Sequence, residues 1–288
     1  MASSKHFAAP PTTALASIRL SDQGAAVLHR HPHPAPLVEG TLVERWDRFI
    51  AEVQLASGEI VRAHCVNPGR MEGLLIRGSR VWLTPAPEGS KRKLRYTWTL
   101  MEHEGRIVGV DTAAPNRIIE SALRARAIPG LKRYRTLQRE VRQDDGSRVD
   151  FVLDGKVPHR VEVKNCHLVY PDGRAYFPDT VSERATRHVD HLAAAVRAGD
   201  KATILFVVQR PGRIRAVRPS RLHDPDLAEA CVRAADSGVR FQAVQVRPTL
   251  EAYEITNPLP VDLNPYDPTP QAPWRDQGRQ LGGWRRSK

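Results

Sequence analysis

The chain is short of cysteine, of long apolar runs and of acid. Its three cysteines, Cys65, Cys166 and Cys231, lie far apart with no CxxC pair. Such a set excludes a disulfide framework and a cysteine-rich zinc site. No run of about 18 apolar residues is present to span a membrane. Near the N-terminus the apolar stretch from Ala14 to Leu20 is broken by Ser17 and Arg19 and followed by polar residues. It does not make a compact signal sequence, so the cytoplasm is the expected location, with no membrane partner. Acid is short relative to base: 32 Asp and Glu stand against 44 Lys and Arg, a formal net charge of +12. A chain of this balance attracts polyanions, because Lys and Arg that neutralise phosphates release condensed counterions.

Both ends differ from the middle in composition. Residues 1–37 are rich in Ala, Pro, Ser and His, and His29, His31 and His33 alternate with Arg30 and Pro32. Alternating histidines suit metal capture, but the composition points to a disordered extension. Residues 251–288 form a Pro-rich basic tail that is also expected to be unstructured. Between them, 38–95 shows short strand-like runs (37–45, 48–55, 59–65 and 80–84) with turns at Ser57-Gly58 and Pro68-Gly69. A helical turn is expected at Met71 to Leu75, and a small β-barrel of oligonucleotide-binding type is one candidate architecture. From 96 to 250 the pattern becomes α/β. A hairpin (96–104 and 106–111) precedes a helix from Asn116 to Ala127 and three strands at about 134–142, 148–153 and 160–165. A helix capped by Thr180 and Glu183, a buried strand from Ala202, a helix from Asp226 and a strand from Arg240 complete the pattern.

The three consecutive strands carry the chemistry. Asp144-Asp145-Gly146 is a hairpin signal, and a turn centred near 145 sets Glu140 opposite Asp150. The next turn, centred near 156, sets Asp150 opposite Glu162. Directly opposed residues share a face, so the three carboxylates form a row, with Lys164 two residues beyond on the same side. Converging carboxylates suit Mg²⁺ or Mn²⁺, held by Asp150 and Glu162, which activates water and stabilises charge on a phosphate. Lys164 would orient that water. The competing account is an exposed acid–x–Lys strand face, scattered by a one-residue slip of register. On the following helix Arg184 and His188, four residues apart, suit a phosphate beside the metal or a solvated surface pair.

At these residues the sequence resembles the sugar fermentation stimulation protein A family, over about residues 38 to 247. The likeness rests on Arg48-Phe49, Cys65 through Met71, Lys91-Arg92-Lys93, Tyr96-Thr97-Trp98, Asn116-Arg117, Val149-Asp150-Phe151, Glu162-Val163-Lys164, and Tyr176-Phe177-Pro178-Asp179 with Ser182-Glu183-Arg184 and His188. The resemblance implies an oligonucleotide-binding barrel followed by an α/β restriction-endonuclease-like domain of PD-(D/E)xK type with a mixed sheet. It also implies DNA binding with little sequence preference and a link to sugar (maltose) metabolism. By the same likeness Asp150, Glu162 and Lys164 match the metal ligands and catalytic lysine, and Glu140 a further acid that some such nucleases use. Pro68 and Arg70 depart from the family's loop.

Two loops extend the expected nucleic-acid contacts. Asn67 and Arg70 lie in a tight turn from which Arg70 reaches a phosphate or stands exposed. Lys91, Arg92 and Lys93, followed by Tyr96 and Trp98, suit single-stranded nucleic acid, although Trp98 is expected in the core. The expected function is therefore a DNA-binding protein with a candidate metal-dependent phosphodiesterase centre. Its rivals are a non-catalytic DNA-binding regulator on a nuclease scaffold and an RNA-binding or RNA-processing protein. A homodimer is compatible with either.

Overall fold

The computed structural model describes residues 26–71, 74–143, 146–281 and 285–286. After β1 (His29–Pro32) come six strands, β2 (Val38–Trp46), β3 (Ile50–Leu55), β4 (Ile60–His64), β5 (Arg80–Pro85), β6 (Tyr96–His103) and β7 (Arg106–Gly109). Their order in one sheet is β4-β3-β2-β5-β6-β7, and a parallel pairing of β4 with β6 closes five of them into a barrel. The inward residues alternate as the sequence requires: in β3, Ala51 and Val53 are buried while Glu52 and Gln54 point outward. Trp98, Met101, Val81 and Leu83 fill the interior.

Helix α1 (Ala114–Arg124) then leads into β8 (Thr136–Arg142), β9 (Arg148–Asp154), β10 (His159–Cys166), β11 (Leu168–Val169) and β12 (Arg174–Phe177). Next come α2 (Glu183–Arg197), β13 (Lys201–Val208), β14 (Ala216–Pro219), α3 (Pro225–Asp236), β15 (Arg240–Pro248), β16 (Ala252–Leu259) and α4 (Ala272–Leu281). The main sheet runs β1-β16-β15-β13-β10-β9-β8, with β13 parallel to both neighbours and the outer pairs antiparallel. Its central strand is apolar on both faces, as a strand covered by helices on both sides must be. One face packs on α1, and Trp82 and Leu100 of the barrel join that core. The other face packs on α2 and α3. No helix among the described residues is long and apolar enough to cross a membrane.

Several expected boundaries move. The hairpin from residue 96 belongs to the barrel, because β6 closes it against β4 and β5. The extension expected over 1–37 is ordered at its end: β1 pairs with β16, His29 to Ile255 through Pro32 to Ala252. There His29 Nε2 lies 2.8 Å from Ser121 Oγ and His33 Nε2 lies 2.9 Å from the Thr249 carbonyl. A proline is tolerated because β1 is an edge strand; residues 1–25 lie outside the described residues. The tail expected over 251–288 begins with β16, whose Tyr253 and Ile255 are buried. Farther on, Tyr266 and Trp274 pack on a cluster of Leu168, Tyr170 and Tyr176. Helix α2 starts at Glu183 behind an N-cap at Ser182, whose hydroxyl accepts from the Ala185 N–H at 3.2 Å. Thr180 is therefore not the cap, and Val181 is 68% exposed. The helical turn expected at 71–75 is a single turn, Leu74 N–H to Met71 carbonyl, with residues 72–73 outside the described residues. Asp144 and Asp145 of the expected hairpin signal are likewise outside them.

Candidate active site

β10 is the element that builds the site. Its pairing with β9 runs His159 to Leu153 and Val161 to Phe151, the register with its centre at residue 156. Continued by one residue, it sets Asp150 across from Glu162. Val161 and Val163 sink into the core beneath α1, which turns Glu162 and Lys164 to the side of α2. Parallel pairing with β13 on the other edge fixes the strand.

The two carboxylates, Glu162 buried and Asp150 half-buried, are differently satisfied. Asp150 accepts from the Asn116 amide at 2.8 Å and from the Val163 N–H at 2.7 Å. Burial and the neighbouring Glu162 charge still push its pKa up to about 6. Glu162 is 4% exposed and accepts from the Lys164 ammonium at 2.7 Å and pairs with His188 Nδ1. Burial alone would raise its pKa, but His188 and Lys164 outweigh that and hold it below the usual carboxylate range.

These groups line one cavity of about 700 Å³. Of the residues expected from sequence, it brings together Asp150, Glu162, Lys164, Glu140, Arg184 and His188. Glu140 sits at a backbone φ of 52°, 45% exposed at its side chain, 4.0 Å from Arg148. It borders the cavity rather than joining the buried pair. His188 pairs with Glu162 through Nδ1, and Arg184 Nε lies 3.4 Å from its other ring nitrogen. His188 reaches Glu162 from a helix that packs over β13, the parallel neighbour of β10.

The remaining expected contacts lie elsewhere. Asn67 is buried, with its side-chain oxygen accepting from the Gly69 N–H at 2.9 Å, so it shapes the turn. Gly69 has no room for a side chain: a Cβ there would stand 2.8 Å from Asp179 Oδ2. Arg70 is exposed, as are Lys91, Arg92 and Lys93 in the loop between β5 and β6. Among the cavity residues not singled out from sequence for this site, Asn116, Arg148, Arg187 and His191 carry polar or charged groups that can act there. Strand and helix spacing carried a signal for three of them. Arg148 precedes Asp150 by two, and Arg187 and His191 follow Arg184 and His188 by three.

The donor set fits a divalent cation of Mg²⁺ type, which is held by one or two carboxylates and keeps several waters. Two carboxylates forced together in a buried site, one with a raised pKa, are a charge problem that a cation relieves. Among the described residues no group of three or more His, Cys, Asp or Glu is placed to hold a metal ion alone.

A closed oligonucleotide-binding barrel set against a mixed α/β sheet of restriction-endonuclease type defines the class of protein. Residues 43–110 match the model of the SfsA N-terminal OB domain, and residues 113–252 match that of the sugar fermentation stimulation protein RE domain. The chain belongs to the sugar fermentation stimulation protein family. It is 41% identical over 233 residues to a homologue from Maricaulis maris, covering 80% of this chain and 98% of that one. A homologue from Geobacter metallireducens is 42% identical over 233 residues, covering 80% and 99%. The solved structure of Pyrococcus furiosus SfsA in complex with Ca²⁺ superimposes with a TM-score of 0.73 at 28% identity, over 83% of this chain and all of that one.

Proposed function

We propose that this is a cytoplasmic DNA-binding protein with little sequence preference, and that its carboxylate cavity is a metal-dependent phosphodiesterase centre. The observation that carries this is the convergence of half-buried Asp150 and buried Glu162 with Lys164 in a cavity that Arg148, Arg184 and Arg187 also line. The net charge of +12 and a relative solved with bound Ca²⁺ support it.

Asp150 and Glu162 would hold Mg²⁺ or Mn²⁺, with Glu140 assisting from the rim. Such an ion supplies Lewis-acid stabilisation of a phosphate and activation of water. Lys164, only 12% exposed at its side chain, orients the attacking water and offsets developing negative charge. Asn116 and His188 are positioning residues: each holds one carboxylate in place from a neighbouring helix. The three arginines bind the phosphates on either side of the scissile one.

One observation favours a second reading. Glu162 is already satisfied by Lys164 and His188, and Asp150 by Asn116 and Val163, so the scaffold is self-contained. On that reading the protein is a non-catalytic DNA-binding regulator linked to sugar metabolism. Cleavage of labelled single- and double-stranded DNA with Mg²⁺, Mn²⁺ or EDTA separates the two. Metal-dependent cutting that falls by about a thousandfold in Asp150→Ala establishes the enzyme. Salt-sensitive binding by both proteins, with no cutting in any metal, establishes the regulator.

A further inference from the structure

Three cavities adjoin one another: the carboxylate cavity, lined by residues of the sheet domain, and two that lie along the seam between the barrel and that domain. The carboxylate cavity shares Phe177 with a second, of about 420 Å³, lined by Arg48, Asn67, Gly69, Thr112 and His167 among others. A third, of about 490 Å³, is bounded by Pro85 to Glu88, His31, His64, Arg92 and Arg117. Only a thin wall separates the second from the third. Asn67 and Thr112 face one, while their chain neighbours Val66 and Asp111 face the other. The Thr112 hydroxyl donates to the Val66 carbonyl at 3.1 Å and joins the two sides of that wall.

The barrel presents two loops along this seam. One is the β2–β3 turn, which carries Arg48 and Phe49; the other is the β5–β6 loop, which carries Lys91, Arg92 and Lys93. These are the first hairpin turn and the last loop of the five-stranded barrel, the positions through which such barrels take oligonucleotides. Phe49 is 45% exposed and is the one aromatic ring among the exposed large hydrophobic side chains of the described residues. Its N–H donates to the Trp46 carbonyl at 3.1 Å, and the Arg48 guanidinium lies 5.7 Å from its ring centroid. Beneath the turn, buried Arg45 donates to the carbonyls of Arg48, Asn67 and Gly69, so turn and seam move as one piece.

A ring exposed beside cationic groups is a platform for an unstacked base, whereas a duplex keeps its bases stacked inside. Cavities between two domains likewise take splayed nucleotides one at a time. Arg48, Arg92 and Arg117 supply positive charge along the way; of the acids there, Asp111 is paired with Arg117 at 2.5 Å, Asp179 lies 3.4 Å from His167 Nε2, and Glu88 is exposed. We propose that this seam is the path of a single-stranded nucleic acid, with Phe49 stacking on a base and the strand delivered from the barrel into the carboxylate cavity. The proposal rests on the reading of that cavity as a nucleic-acid site.

The test is fluorescence-anisotropy binding in EDTA, with a labelled single-stranded DNA, its duplex and the matching single-stranded RNA. Wild type is expected to bind a single strand at least about tenfold more tightly than the duplex. Phe49→Ala should lose about tenfold of single-strand affinity while leaving duplex affinity unchanged, and Phe49→Trp should restore it. Phe49 is exposed in a turn, so neither variant disturbs the core. Competition between the DNA and RNA strands identifies the polymer. Equal or tighter duplex binding, or full single-strand affinity in Phe49→Ala, overturns the path even where duplex cleavage persists. The expected binding pattern without cleavage in any metal keeps the path and removes the enzyme. Absence of binding to all three probes removes both.

Discussion

The charges of the barrel loop and those of the sheet cavity differ in what they touch. Lys91, Arg92 and Lys93 are exposed, and the Arg92 side chain donates to the Thr97 hydroxyl at 3.1 Å. Asp150, Glu162, Lys164 and His188 are shielded from water and bonded to one another or to a fixed neighbour. Exposed charges act nearly independently and are screened by salt, while buried ones act as a unit and depend on position. On the proposed function, the barrel loop attracts and the sheet orients. Each substitution below should therefore disturb one property and spare the other.

Outside the carboxylate pair, and on the proposed function, the largest effect is expected from Asn116→Ala. It removes one of the two hydrogen bonds that aim Asp150 and should lower kcat by about thirtyfold, in line with the loss of an outer-shell partner. Anisotropy should show DNA affinity within about twofold of wild type; a matching loss of affinity would erase the contrast. Replacing Lys91, Arg92 and Lys93 together by Ala should do the reverse. Affinity should fall by about tenfold, the slope of log K against log salt should flatten by about 2, and kcat at saturating DNA should hold. The smallest effect concerns stability. Folded Asp150 binds its proton more tightly than an unfolded aspartate, with a pKa raised from 3.8 to about 6. The metal-free protein therefore loses stability as pH rises through that window and stays at the lower level above it. Asp150→Asn carries no charge there and should melt as the more stable protein at pH 8, by about 1–2 kcal/mol, with the advantage vanishing in acid. A constant difference at all pH values would show that the carboxylate is not strained by its neighbours.

How much of this the sequence displayed varies element by element. The register of β9 and β10 was legible because Asp154-Gly155 marks the turn and the alternation of Val161 and Val163 with Glu162 and Lys164 fixes the faces. The buried run of β13 was legible for a similar reason. β1 was not, since four residues of sequence His-Arg-His-Pro become a strand only through the exposed edge of β16. The closing of the barrel by β6 against β4 depends on a contact more than thirty residues apart in the chain, beyond any local pattern. The same holds for His188. Its spacing from Arg184 is a helix property, but its bond to Glu162 depends on where α2 lies across the sheet.

The pairing of β1, β16 and β15 has a practical side. The family match ends at residue 252, where β16 begins, and a chain trimmed there would leave β15 with a row of unsatisfied N–H and C=O groups along one side. An apolar strand uncovered in this way is a template for other chains, and the trimmed protein should self-associate into insoluble material. Trimming through Pro32 would instead remove β1 and bare the flank of β16, a milder lesion that leaves the buried strands covered. The two ends thus act as selvedges that keep the sheet from fraying into its neighbours.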